Sequence, residues 1–309
     1  MASLTLGQPT GPGGDAGDNG HNQNSIFSSF EQKMPKLAIA PGTSRKPRIK
    51  SSSKSTSAQQ PPNFWEVDDI MALTKFAKDA LAALIQNSSL ACQMPQDEET
   101  FQLGNEADVV RASTLYLVYP VNIVLTQHCK PRQISINCKS EFHPIDPQYA
   151  VTKAGTSKAG PSKDPDDASQ DSRCDIVWEF VMPGQKPVLF AAVEFKRQFV
   201  LRGDQFEKAK KSDREGSSFD GNSMIVLKQV AKYAKKNLQD ILVYDWNYMF
   251  VAFLDPHDES ARDSNGEFIK IKGIFASEER DQSESFRHIL LGFLMRALQR
   301  KLQATTELE

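Results

Sequence analysis

Glu194-Phe195-Lys196 closes an apolar run, Val188 to Val193, and sets a carboxylate and an ammonium two residues apart. If the run is a strand, its alternation puts both charges on one face, about 6 to 7 Å apart, and turns Phe195 the other way. Opposite charges at the end of a buried strand need a reason. A salt bridge is one, and a site for a cation and a phosphate is another. Asp175 opens the preceding apolar run, and antiparallel pairing can bring its carboxylate to the end that carries Glu194. Two converging oxygen ligands suit Mg²⁺ or Mn²⁺, since Mg²⁺ keeps several waters and takes one or two carboxylates plus substrate phosphates. Such an ion polarises a phosphodiester, generates hydroxide and offsets charge on the leaving oxygen. Lys196 is then placed to hold the attacking water or to stabilise developing negative charge.

Two further groups stand on helical stretches. Glu106 lies in a run with Leu103, Ala107, Val110 and Leu115, and Gln229-Val230-Ala231-Lys232-Tyr233 puts Gln229 and Tyr233 four residues apart on one helix face. That pair can reach a catalytic lysine, its water or a phosphate together. Each signal also has a plain structural alternative: an exposed salt bridge for Glu194 and Lys196, a turn residue for Asp175, a solvated helix face for Gln229 and Tyr233, and a surface acid for Glu106.

The elements that must position these residues follow from periodicity. An amphipathic helix spans Val67 to Ile85, and a second runs from about Glu98 to Leu115, to be kinked or ended by Pro120. Alternation at Ile134, Ile136 and Cys138 predicts a strand. Ile176 to Met182 and Val188 to Phe195, separated by Pro183-Gly184-Gln185-Lys186-Pro187, predict a β-hairpin. A helix over Asn222 to Leu238, strands over Tyr248 to Leu254 and Phe268 to Phe275, and a closing helix from Phe286 complete a mixed α/β sheet with packed helices. Asp245-Trp246-Asn247 reads as a turn with a buried Trp, with a place on the site rim as the alternative. Residues 152–173 and 203–221 are charged and Gly-, Ser- or Pro-bearing, and are expected to be flexible insertions.

Residues 1–62 are rich in Gly, Ser, Pro, Asn and Gln and predict a disordered low-complexity tail in front of one domain over 63–305. Its cluster Arg45, Lys46, Arg48, Lys50 and Lys54 reads as a nuclear import signal, a phosphate-tracking arm or a solvated charge run. In the loop after Gly203, Lys208, Lys210, Lys211 and Arg214 allow a backbone contact, with solvation as the alternative. The formal charge of -2 over 309 residues argues against a constitutive nucleic-acid coat protein but not against a local basic groove. Cys92, Cys129, Cys138 and Cys174 form no CxxC pair, so reduced thiols and an intracellular location are expected. The histidines show no HExxH spacing, no phosphate-cradling glycine loop follows a strand, and no uninterrupted apolar run approaches a bilayer's thickness, so neither a zinc site nor a membrane partner is expected.

Asp175 followed by Glu194-Phe195-Lys196 resembles the split acidic motif of the PD-(D/E)XK nuclease superfamily, known also as the restriction-endonuclease-like fold. In that superfamily an early helix often supplies another acid, for which Glu106 is suitably placed. Its RecB-like branches carry a later helix with a Gln and a Tyr four residues on, which Gln229 and Tyr233 resemble. The resemblance covers roughly residues 99–254; Cys174 stands where the motif's Pro would be, and the insertions depart from a minimal nuclease. It implies a restriction-endonuclease-like mixed β-sheet flanked by helices, with Asp175, Glu194 and Glu106 around Mg²⁺ or Mn²⁺ and Lys196, Gln229 and Tyr233 assisting. The implied activity is hydrolysis of phosphodiester bonds in DNA or RNA. The alternative is an inactive module of the same fold that binds nucleic acid or a protein partner, the latter also reachable through the tail.

Overall fold

The computed structural model describes residues 25–49, 61–67, 70–85, 94, 102–142, 174–210, 220–234, 238–255, 258–264, 269–278 and 284–306. The insertion at 152–173 lies outside the described residues, as do 1–24, 50–60 and 211–219.

Seven strands form one mixed sheet: β2 (Asn63–Glu66), β4 (Ser135–Phe142), β5 (Cys174–Val181), β6 (Val188–Phe195), β7 (Asp240–Tyr244), β8 (Met249–Phe253) and β9 (Lys270–Ala276). Their spatial order is β2-β9-β8-β7-β6-β5-β4. A two-stranded parallel sheet pairs β1 (Ala38–Ile39) with β3 (Gln102–Leu103). β4 pairs antiparallel with β5, and β5 with β6 across the turn at Pro183 to Pro187, whereas β6 and β7 are parallel. A parallel pair needs a crossover. Helices α5 (Gly203–Ala209) and α6 (Gly221–Ala234) lie in that connection.

The sheet is buried on both faces, and alternation along β6 divides its side chains between two cores. Val193 and Phe195 join a cluster with Leu73 of α2 (Ile70–Ile85), Val109 of α3 (Glu106–Ser113), Leu125 of α4 (Tyr119–Cys129) and Leu294 of α7 (Phe286–Thr306). Ala192 joins a cluster on the other face with Phe206 of α5 and Val226 and Val230 of α6. Glu194 follows Ala192 in the strand period and so belongs to the α6 face.

Several elements differ from the sequence expectation. Pro120 neither ends nor breaks its helix: a π turn over Thr114–Val118 joins α3 to α4 and places the proline in the first turn of α4. The proline lacks the N–H that would reach back to the Tyr116 carbonyl, and Arg287 donates to that carbonyl instead, at 2.6 Å. Of the helix expected from Glu98, residues 98–101 lie outside the described residues, Gln102–Leu103 form strand β3, and the helix starts at Glu106, where Asn105 and Asp108 form a reciprocal capping box. Residues 203–209, expected to be part of a flexible insertion, form α5, because Phe206 and Ala209 are buried under the sheet.

The tail boundary also moves. Residues 25–49 are built into the fold: Ile26 and Phe30 of α1 (Ile26–Phe30) are 0% exposed. Arg287 of α7, itself buried, donates to the Ser29 and Gln32 carbonyls at 2.7 and 3.1 Å and to the Tyr116 carbonyl at 2.6 Å. The apolar residues there are too sparse to make a local core, but they suffice when another part of the chain supplies the groove.

Candidate active site

The hairpin register brings the two acids together. Ile176 lies opposite Val193, so Asp175 and Glu194 come one residue further along their strands. Asp175 Oδ2 accepts the Phe195 N–H at 2.6 Å, which closes the strand end that β5 leaves unpaired. The Lys196 N–H is held by the Tyr244 carbonyl at 2.8 Å, so β7 fixes the lysine's backbone from the other side.

Glu194 is bonded through both oxygens. Oε1 accepts from Lys196 Nζ at 2.5 Å and Oε2 accepts from the Tyr233 hydroxyl at 2.8 Å. All three residues are buried. Half of the Gln-Tyr pair therefore reaches the site. Gln229 is half-buried one turn earlier on α6, and it is not among the groups bonded to Glu194. Glu106 opens α3 as an exposed residue and acts at longer range, since its charge bears on both Asp175 and Lys196.

The electrostatics are those of negative charge that the chain does not fully balance. Burial, then Glu194 and Glu106, push the Asp175 carboxyl up to about 7, against the Phe195 N–H and Lys196. Burial works against the Lys196 ammonium, yet Glu194 foremost, followed by Glu106 and Asp175, holds its pKa above the usual lysine value. Lys196 is thus a permanent cation and donor, not a proton acceptor. Burial and Glu194 keep the Tyr233 hydroxyl protonated well above its ordinary range, so it serves Glu194 as a donor.

The fit to a cation rests on Asp175 and Glu194. Among the described residues no three His, Cys, Asp or Glu side chains cluster as a coordination set, so Glu106 does not join the other two as a ready third ligand. Two carboxylates remain, a donor set suited to a hard cation that keeps most of its waters. The mutual repulsion of Asp175 and Glu194 is what such a charge would relieve.

One residue of the site's support carries no chemical signature of its own in the sequence. Asp245 is fully buried in the turn after β7, where it accepts from Leu201 N at 2.6 Å, Tyr248 N at 3.0 Å and Asn247 N at 3.1 Å. It ties the loop that follows Lys196 to the β7–β8 turn. Burial pushes its carboxyl up to about 7 against those N–H groups. Trp246 beside it is 7% exposed with φ of 79°, so the turn with a buried Trp is the arrangement found. Gln198, in the same loop, donates to Asn247 Oδ1 at 3.2 Å.

Comparison with protein-family models gives no match, and comparison with curated proteins gives none.

Proposed function

We propose that this protein is a Mg²⁺- or Mn²⁺-dependent nuclease of the PD-(D/E)XK type that hydrolyses phosphodiester bonds of nucleic acid. One observation carries the reading: half-buried Asp175 and buried Glu194, Lys196 and Tyr233, from three separate elements, come together at the end of a central strand. A strand-end salt bridge alone would not call for a second carboxylate beside the first.

Asp175 and Glu194 would hold the ion, which supplies Lewis-acid polarisation of the phosphate and lowers the pKa of bound water. The chain's own residues do the rest. Tyr233 and Lys196 fix the Glu194 carboxylate from two sides, so its orientation does not have to be organised at the moment of reaction. Lys196, kept protonated, donates to the attacking water or to the charge that grows on the phosphate. Glu106, at the solvent side, would act on the ion's waters, and Gln229 on a substrate phosphate.

Purified protein incubated with single- and double-stranded DNA and RNA in Mg²⁺ or Mn²⁺ is expected to cleave at least one of them. Lys196→Ala is expected to abolish cleavage, with an unchanged circular dichroism spectrum. Undiminished turnover by that variant removes the mechanism. A second reading, a nuclease-like module that binds without cutting, is favoured by one feature: both Glu194 oxygens are already engaged within the chain. Retained binding with no cleavage under any of these conditions would select it.

A further inference from the structure

Residues 45–49 set three cations, Arg45, Lys46 and Arg48, around Pro47, and the side chains of all three are exposed while Pro47 is buried. Their backbone is tied down by a single side chain. Asn222, in the first turn of α6 and 3% exposed, donates from Nδ2 to the Pro47 carbonyl at 2.8 Å and accepts the Ile49 N–H on Oδ1 at 3.1 Å. The same Nδ2 donates to the Val200 carbonyl at 2.9 Å. Both amide hydrogens and the oxygen of this carboxamide are therefore used, which is what makes its burial tolerable.

These bonds fasten the basic segment to the loop that follows Lys196. Val200 is four residues beyond Lys196, in a turn closed by its N–H on the Arg197 carbonyl at 3.2 Å, and the next residue, Leu201, is held by Asp245. Ile49 packs against the apolar cluster that contains Val230 and Tyr233, on the sheet face where Tyr233 meets Glu194. The segment is a strap bonded to the loop that leaves the catalytic strand, and it turns three positive side chains to solvent.

We propose that this strap is a phosphate platform: Arg45, Lys46 and Arg48 bind the backbone of the nucleic-acid strand presented to Asp175, Glu194 and Lys196. The identity of the polyanion rests on the nuclease reading above. The carboxylates of the site repel a polyanion, and cations on a segment tied to the loop after Lys196 would offset that repulsion along the strand's path. Contacts of this kind set position and register without reading sequence. Because the backbone is anchored on both sides of Arg48, ordering it costs little at the moment of binding, unlike a loose basic tail. A role as a freely displayed import signal is a poorer match to a segment whose Pro47 and Ile49 are docked.

The test uses the full chain with Arg45→Gln, Lys46→Gln and Arg48→Gln combined; these are surface changes that leave the Asn222 bonds in place. Binding of fluorescein-labelled single strands and duplexes of DNA and RNA is measured in EDTA over a range of salt concentrations, and cleavage is measured in Mg²⁺. The variant is expected to lower the slope of log K against log salt by about 2 to 3, since each lost phosphate contact contributes roughly 0.7 to 0.9. KM should rise about tenfold or more with kcat within about twofold, the signature of lost ground-state binding. A native chain that cleaves, paired with a variant of unchanged slope and KM, overturns the platform and leaves the nuclease reading standing. A native chain that binds without cleaving, paired with a variant of reduced slope, sinks the nuclease reading and supports the platform. A native chain that binds none of these nucleic acids overturns the platform.

Discussion

Glu194 is the residue on which the site turns, because a buried cation holds one of its oxygens and a buried neutral donor holds the other. Removing the donor is the milder change. Tyr233→Phe keeps the ring packed and deletes a hydrogen bond to a charged acceptor, worth about 1.5 to 3 kcal/mol. Part of that loss should appear as catalysis, since the carboxylate loses one of its two restraints: kcat is expected to fall about tenfold with KM little changed, as steady-state kinetics would read. An equal fall in kcat for Tyr233→Phe and Gln229→Ala would contradict the separate placement of the two side chains. Lys196 is a different case, since removing it leaves Glu194 buried beside one neutral donor. Lys196→Ala should therefore lower the urea midpoint, because breaking a buried pair leaves an uncompensated buried charge, while the folded protein keeps its circular dichroism spectrum.

At the scale of elements, two contacts decide whether the helices can press on the sheet. Gly292 of α7 lies against α2, and a Cβ there would come 2.1 Å from the Leu73 carbonyl oxygen. Backbone cannot yield as a side chain tip can. Gly292→Ala is expected to cost roughly 1 to 3 kcal/mol and to lower the thermal midpoint by about 2 to 12 °C in calorimetry, with the site chemistry untouched. The second contact is the seat of α1 on α7. His288 is buried, with its Nδ1 3.3 Å from Ser285 Oγ and its ring 5.5 Å from that of Phe30. Burial foremost, with Lys78 assisting, holds its pKa below the ordinary histidine value, against Glu31 and Glu284. A folded pKa below the unfolded one means stability that is present above about 6.5 and lost as pH falls through the lower folded value. Acidification from pH 7 to 5.5 should thus expose the α1 segment to proteolysis, and His288→Gln should flatten that response.

The whole molecule depends on segments far apart in the chain. β2 is a parallel neighbour of β9, with Phe64 opposite Ile271, and α1 lies against α7 across most of the sequence. A chain begun at Asn63 would lack Ile26, Phe30 and Met34, each buried, and would leave Arg287 with two fewer carbonyls to donate to. Burying side chains of this size is worth about 1.5 to 3 kcal/mol each, and extended-chain values of this kind are upper bounds. The truncated chain should therefore lose several kcal/mol against one begun at Ser25, visible as an earlier urea midpoint.

The grouping of Asp175, Glu194, Lys196 and Tyr233 was legible because it obeys local periods. Asp175 to Glu194 is a hairpin, Glu194 to Lys196 a strand repeat, and Tyr233 a helix position, each readable from its neighbours. β7 was not legible in the same way. Ile241 to Tyr244 is short and apolar, but its value lies in parallel pairing with β6 across a crossover, and no local pattern announces a partner that distant. The same holds for Asn222 and Asp245, single polar residues whose meaning comes from three segments that meet only when folded. Sequence alone determined which chemistry could be gathered at the end of one strand, since periodicity sets the face on which a side chain stands. Tertiary structure alone decided that Tyr233 meets Glu194 while Gln229 stands back, that Glu106 acts from the solvent side, and that residues 25–49 belong to the body. Those outcomes depend on packing between elements, where the free energy comes from surfaces that no stretch of sequence contains by itself.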